Sequence, residues 1–328
     1  MHDIALIGAG RIGKIHAANL AANPRLRLAL VVDPFPEAAA AVAAQYDARV
    51  STIEEALADP AIAGVVVASS TDTHLPYSLA AAEAGKAIFC EKPLDQDLAA
   101  ARESATRFAA LDARLFLAFN RRFDPNFAAL QARLAGGAVG TLETLHIISH
   151  DPAPPPVDYV KVSGGIFKDM VIHDFDMARW LLAEEVTEVF ASASVLVDPA
   201  IGEAGDADTA KTILRTASGR LCVISSSRRS GYGYDQRIEA FGSKGMIRAQ
   251  NQLETTVETW GEAGAAADRF QNFFLDRYAV AYAREAEHFA DILDGKTPPL
   301  VDFRDGVAAL ALAEAAAQSA RTGERVLL

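Results

Sequence analysis

Cysteine is scarce in this chain: 2 of 328 residues, Cys90 and Cys222. A disulfide framework is excluded, and neither cysteine has metal-ligand spacing. The histidines are scattered, so no metal site is expected. Cys90 ends an apolar run and reads as a buried free thiol, which fits a reducing, cytoplasmic setting. No apolar run approaches the roughly 20 residues of a membrane helix. The N-terminus lacks the basic stretch and apolar core of a secretory leader. Positive charge is also short, with 31 Lys+Arg against 43 Asp+Glu, a net charge of −12 and a pI near 5.1. Nucleic acid and anionic membrane are not expected partners, because both require a basic face. No repeat or low-complexity tract appears beyond Ala-rich helices. What remains, at 51% hydrophobic residues, is a globular chain long enough for two domains.

The first 33 residues carry the strongest signal. Asp3 to Ile7 reads as a short buried strand, Gly8-Ala9-Gly10-Arg11-Ile12-Gly13 follows, and an amphipathic helix runs to about Ala22. A second apolar run, Leu26 to Val32, ends in Asp33. In such a unit Gly8 allows the tight turn, Gly10 lets backbone approach a pyrophosphate, and Gly13 lets the helix pack on the sheet. The helix N-terminus offers free N–H groups and partial positive charge to phosphate. A carboxylate at Asp33 would bond ribose hydroxyls and repel a 2′-phosphate, favouring NAD over NADP. Arg11 keeps NADP open at this level, since a nearby Arg can pair with that phosphate. A tight strand–helix turn that binds nothing has the same glycines.

Short apolar strands then alternate with helices: strands at 64–68, 87–90 and 115–119, helices at about 73–84 and 98–110. This predicts a doubly wound parallel sheet. Ligands of such sheets sit beyond the C-terminal strand ends. Thr71, Asp72 and His74, then Glu91, Lys92 and Pro93, then Asn120, Arg121 and Arg122 all fall there. After about residue 121 the pattern changes. Strands are expected at 142–149, 188–197, 211–216, 220–226 and 236–241, several alternating, with an extended Pro-rich loop at 151–156 and helices at 279–293 and 306–321. The expected division is a nucleotide domain over 1–120 and an α+β domain over 121–328.

Asp169 and His173 are four apart where a helical pattern runs on to Leu182. That spacing puts both on one helix face, and a carboxylate beside an imidazole suits a general base. It equally describes a first helix turn whose acids complement the dipole, with His173 a satisfied, partly buried histidine. Gly164-Gly165 just before permits close backbone approach to a ligand. Lys92 precedes Pro93, which restricts it and allows a cis bond. A fixed ammonium there could stabilise a developing alkoxide, although a strand-end lysine is often simply solvated.

Together, Gly8-x-Gly10-x-x-Gly13, Glu91-Lys92-Pro93 and Gly164-Gly165 followed by Asp169-x-x-x-His173 resemble the glucose–fructose oxidoreductase / inositol dehydrogenase / rhizopine catabolism (Gfo/Idh/MocA) family over essentially the whole chain. Asn120 to Pro125, Asp151 to Pro156 and Gly231-Tyr232-Gly233-Tyr234-Asp235-Gln236-Arg237 resemble its inositol-oxidising members most. The resemblance implies a Rossmann α/β domain followed by an α+β domain with a large, mostly antiparallel open sheet, assembled as dimers or tetramers. It implies NAD-dependent oxidation of a ring hydroxyl of myo-inositol to the ketone, or of another cyclic polyol or a sugar; a non-catalytic NAD sensor is the other class. Lys92, Asp169 and His173 would form the catalytic group. Arg122, His150 and Tyr234 resemble substrate-pocket positions. Thr71, His74 and Glu91 resemble the cofactor side, joining Gly8, Gly10, Arg11, Ile12, Gly13 and Asp33. Each also has a plain structural reading: an ion pair for Arg122, a loop cap for His150, an interface aromatic for Tyr234, helix capping by Thr71 or Asp72, and a turn brace for Glu91.

Overall fold

The computed structural model describes residues 1–328. In chain order the first stretch is β1 (His2–Ile7), α1 (Arg11–Ala22), β2 (Leu26–Val32), α2 (Pro36–Gln45), β3 (Arg49–Val50), α3 (Ile53–Ala58), β4 (Ile62–Val67), α4 (Thr71–Glu83), β5 (Ala87–Glu91), α5 (Leu98–Ala110) and β6 (Leu115–Ala118). A 3₁₀ turn at Asn120–Phe123 leads to α6 (Pro125–Ala135), β7 (Leu142–His150), α7 (Val157–Val160), α8 (Gly165–Asp169), α9 (Ile172–Leu182), β8 (Val186–Ser194), α10 (Pro199–Glu203), β9 (Thr209–Thr216) and β10 (Leu221–Ser227). Last come β11 (Asp235–Gly242), β12 (Gly245–Ala249), β13 (Glu258–Gly261), β14 (Gly264–Ala267), α11 (Phe274–Arg277), α12 (Ala279–Leu293), α13 (Phe303–Thr322) and β15 (Val326–Leu327).

These elements form two compact units. The first takes Met1–Phe123 and Ala281–Leu310, the second Asp124–Val280 and Ala311–Leu328. In the first, six parallel strands run in the order β3-β2-β1-β4-β5-β6. The apolar runs are buried on both faces, as in Ile4 to Ile7, Val65 to Val67 and Leu115 to Leu117, because helices cover both sides of a parallel sheet. One cover is α12: a Cβ at Gly64 of β4 would lie 2.8 Å from the Phe289 ring, and Phe289 packs tilted on Phe89 of β5 at 5.6 Å between ring centres. Strand order reverses between β1 and β4, the switch point at which such sheets bind ligands.

The second unit holds a seven-stranded sheet, β12-β11-β7-β10-β9-β8-β15, in which only the β7–β10 pair is parallel. Its strands alternate: Leu214, Cys222, Ile224, Leu145 and Ile147 are buried, while Ile213, Val223, Leu221 and Phe241 stay exposed. This is the pattern of a sheet with one open face. The hairpin β13–β14 stands as a separate two-stranded sheet. It was not expected from the sequence, since Glu258–Ala267 carries only Trp260 as a large apolar side chain. No helix is long and apolar enough to cross a membrane.

Candidate active site

The glycine loop closes the end of β1 as its residue types require. Gly8 has φ +103, and a Cβ there would lie 2.4 Å from the Ala68 carbonyl oxygen at the end of β4. At Gly13 a Cβ would lie 1.9 Å from the Gly8 carbonyl oxygen, so α1 approaches the loop only without a side chain. Gly10, the N-cap of α1, would meet nothing of the protein. The first turn of α1 holds no acid, so its partial positive charge is left for an anion. Asp33 Oδ2 accepts from the Ala9 N–H at 2.6 Å and Oδ1 from the Phe35 N–H at 2.8 Å. A carboxylate has about four acceptor positions, so two remain for a diol while the other two brace the loop. Open backbone at Gly10, an unneutralised helix end and a carboxylate beyond β2 together fit a dinucleotide. Arg11 and Ile12 open α1 beside them.

At the end of β5, Glu91 Oε1 lies 2.7 Å from His16 Nε2, and its Oε2 accepts from the Lys92 N–H at 3.3 Å. Burial pushes the Glu91 carboxyl up, but the His16 hydrogen bond and charge, with Lys92 and His74, outweigh it and hold it below the usual range. The Lys92–Pro93 bond is cis. His74 is buried, with Nδ1 2.8 Å from the Pro93 carbonyl oxygen and Nε2 3.2 Å from that of Ser69. It therefore ties the Lys92–Pro93 turn to the start of α4. Ser70, not Thr71 or Asp72, is the N-cap of α4. Arg122, buried at 5% exposure, pairs with Asp305 Oδ1 at 3.0 Å and donates to the Leu300 carbonyl at 3.3 Å. Part of its guanidinium fork is thus committed within its own unit.

In the second unit, Asp169 and His173 are not on one continuous helix. Asp169 ends α8 and His173 is the second residue of α9, with Met170 and Val171 between them. The ladder restarts because the Val171 carbonyl accepts from both Asp174 and Phe175. Gly164 and Gly165 are both left-handed (φ +84 and +83). What comes close to Gly165 is the Asp206 carboxylate, 3.0 Å from the position of a Cβ. That carboxylate accepts the Ile166 N–H at 2.9 Å and so caps α8. The close approach at Gly165 thus serves Asp206.

Asp169 is held by two groups that the sequence did not single out. Tyr159 donates to its Oδ1 at 2.8 Å, and Arg228 lies 3.4 Å from its Oδ2 and 3.3 Å from Asp206 Oδ2. Arg228 is 1% exposed whereas its neighbour Arg229 is exposed. Two adjacent arginines give no sequence signal for which is which. His150, at the end of β7, has Nε2 3.1 Å from Ser225 Oγ and Nδ1 3.4 Å from the Tyr232 hydroxyl. Burial lowers its pKa, helped by Lys211 and Arg237 and opposed by Asp235. Tyr234 is buried edge-on against Tyr278 at 6.0 Å. In the same motif Asp235 is fully buried and accepts from Tyr232 at 2.8 Å and from Arg237 at 2.7 and 2.8 Å. Cys90 and Cys222 are buried free thiols, Cys90 pushed by burial up to about 12. No group of His, Cys, Asp and Glu could hold a metal.

Known proteins agree with this geometry. An inositol 2-dehydrogenase of Rhizobium meliloti (strain 1021) is 48% identical over 314 residues, spanning 96% of this chain and 95% of that protein. The crystal structure of a myo-inositol dehydrogenase from Corynebacterium glutamicum superposes with a TM-score of 0.96 at 45% identity, covering 100% of this chain and 99% of that one. A scyllo-inositol dehydrogenase from Lactobacillus casei, solved with bound NAD(H) and scyllo-inositol, gives 0.92 at 26% identity over 100% and 99%. Residues 2–119 match the oxidoreductase family with an NAD-binding Rossmann fold, and 127–248 match the GFO/IDH/MocA C-terminal domain. With both halves matched and the glycine loop, acid and strand-end lysine in place, this chain belongs to the Gfo/Idh/MocA family of NAD-binding oxidoreductases.

Proposed function

We propose that this protein oxidises one ring hydroxyl of myo-inositol to the ketone, with NAD as hydride acceptor. The observation that carries this reading is the 48% identity to an inositol 2-dehydrogenase across 96% of the chain. Gly8, Gly10, Arg11, Ile12, Gly13 and Asp33 hold the dinucleotide, and Thr71, His74 and Glu91 complete its other side. Bound NAD supplies the electrophilic ring that accepts hydride. His173 takes the hydroxyl proton. Asp169, fixed by Tyr159 and Arg228, orients His173 and balances its positive charge. Lys92 hydrogen-bonds the reacting oxygen. An unactivated alcohol is a very weak acid, so hydride leaves more easily as the proton departs. His150, Tyr234 and Arg122 bond further ring hydroxyls.

Oxidation of scyllo-inositol is the second reading, favoured by the likeness to the L. casei enzyme solved with that ligand. NADH formation across a panel of inositols and pyranoses decides between them. Turnover of myo-inositol above all others is expected; good activity on a pyranose with none on any inositol would refute the proposal.

The same reading includes a homo-oligomer. Phe190, Ile213 and Val223 are cross-strand partners on neighbouring strands and are 40%, 43% and 36% exposed. Phe241 and Leu221 flank Thr144 on the next row. A contiguous apolar row of this kind on an open sheet face marks an association surface. Light scattering that found only monomer at working concentration would contradict it.

A further inference from the structure

Glu285 is the one buried carboxylic acid of the first unit, and no part of the proposed chemistry explains its place. It sits in the apolar stripe of α12 with no exposed surface, and neither carboxyl oxygen has a hydrogen-bond partner. One turn before it, Tyr282 meets His16 edge-on at 5.9 Å. One turn after it, Phe289 meets Phe89 at 5.6 Å. Glu285 therefore lies on the side of α12 that packs on His16 and β5, within range of the Glu91 charge, where β5 ends at the ligand edge of the sheet. Burial, and then the charge of Glu91, push its carboxyl well above the ordinary range. Glu91 meanwhile is held anionic by His16, Lys92 and His74. On its own helix, Glu287 turns out to Arg25 and His288 packs on Phe116 and Phe123. Two neighbouring carboxyls with opposed environments divide into an acid and a base. With no positive charge close by, an unpartnered carboxylate in this position is strongly disfavoured, so the carboxyl stays protonated.

We infer that Glu285 is a positioning residue that stores a proton behind the cofactor site and releases it when a cationic ring binds near Glu91. The inference rests on the NAD reading above. The oxidised nicotinamide ring is positive and the reduced ring neutral, so only the oxidised cofactor opposes the negative charge of Glu91. The O–H bond of the Glu285 carboxyl then breaks heterolytically: the electron pair stays on the carboxylate, and the proton passes to buffer. On replacement by the reduced cofactor the carboxylate takes a proton back. By linkage, the ratio of NADH to NAD affinity falls as pH rises, by up to about tenfold per pH unit.

Calorimetric titration with NAD and with NADH, each in two buffers of different ionisation enthalpy, reads the proton directly and needs no turnover. The wild-type protein is expected to release more protons with NAD than with NADH. Glu285→Gln, which keeps the shape and neutrality, is expected to bind both while losing that difference. An unchanged difference in E285Q would assign the proton elsewhere and overturn the inference. Should E285Q fail to fold, the wild-type protein still decides, because equal proton release with the two cofactors overturns it. Failure to bind either cofactor would defeat the NAD reading itself, and this inference with it.

Discussion

At the scale of single residues, the structure separates groups that bind chemistry from groups that hold them. His173 carries the proposed proton transfer. His173→Ala is expected to keep NAD affinity and lose at least about a hundredfold in kcat, the scale of general-base catalysis; fluorescence titration and steady-state assay read the two separately. Asp33 has two tasks, because it also accepts the Ala9 and Phe35 N–H groups. Asp33→Ala is therefore expected to raise the NADP/NAD ratio of kcat/KM while weakening both cofactors. An unmoved ratio would mean that Asp33 serves only the loop. Arg228 and Tyr159 act through Asp169, and Asp206 through Arg228 and the first turn of α8. None was legible beforehand: Arg228 and Asp206 reach α8 from segments far apart in sequence, and Tyr159, ten residues from Asp169, stands on a separate short helix.

At the scale of elements, local sequence and structure agree closely where one short-range rule decides. The expected helices at 98–110 and 279–293 are α5 and α12 to the residue, and the former is capped by Asp97 through the Ala99 and Ala100 N–H groups. In Asn120-Arg121-Arg122-Phe123-Asp124-Pro125, Asp124 caps α6 through the Asn126 and Phe127 N–H groups, and Pro125 occupies its first position. The same carboxylate pairs with Arg277, and both side chains are at most 1% exposed. Asp124→Ala removes the cap and strands a buried guanidinium. The expected loss is about 3–5 kcal/mol, measured as a lowered urea midpoint, whereas a surface pair would lose under about 1 kcal/mol. Local rules fell short at Asp169–His173. The periodicity continued through Met170 and Val171, but the chain breaks there because Val171 begins a new ladder.

At the scale of the whole molecule, the pH dependence of stability sums such buried groups. Glu285 has a raised carboxyl value in the folded state. The native protein therefore binds a proton that the unfolded chain has lost, and stability falls as pH climbs from the ordinary carboxyl range toward the folded value. Glu91 is lowered, so its contribution is present above the ordinary carboxyl range and fades as pH falls. Glu285→Gln is expected to remove the alkaline loss, a relative gain of up to about 1.4 kcal/mol for each pH unit in that window. Urea midpoints of both proteins between about pH 5 and about pH 8 measure it; parallel curves would show that the Glu285 carboxyl is not raised in the folded state.

The sequence alone determined the alternation of strand and helix, the dinucleotide loop with its acid, and the strand-end lysine. These follow from short-range causes: apolar periodicity, glycine where a side chain cannot fit, and proline where the backbone is restricted. Tertiary structure alone decided that 281–310 joins the first unit and that Glu285 of α12 is fully buried with neither carboxyl oxygen partnered. It also decided that one of two adjacent arginines is buried against Asp169 and Asp206. Those outcomes depend on desolvation and charge pairing between distant segments, and neither has a period or a spacing that a linear reading can detect.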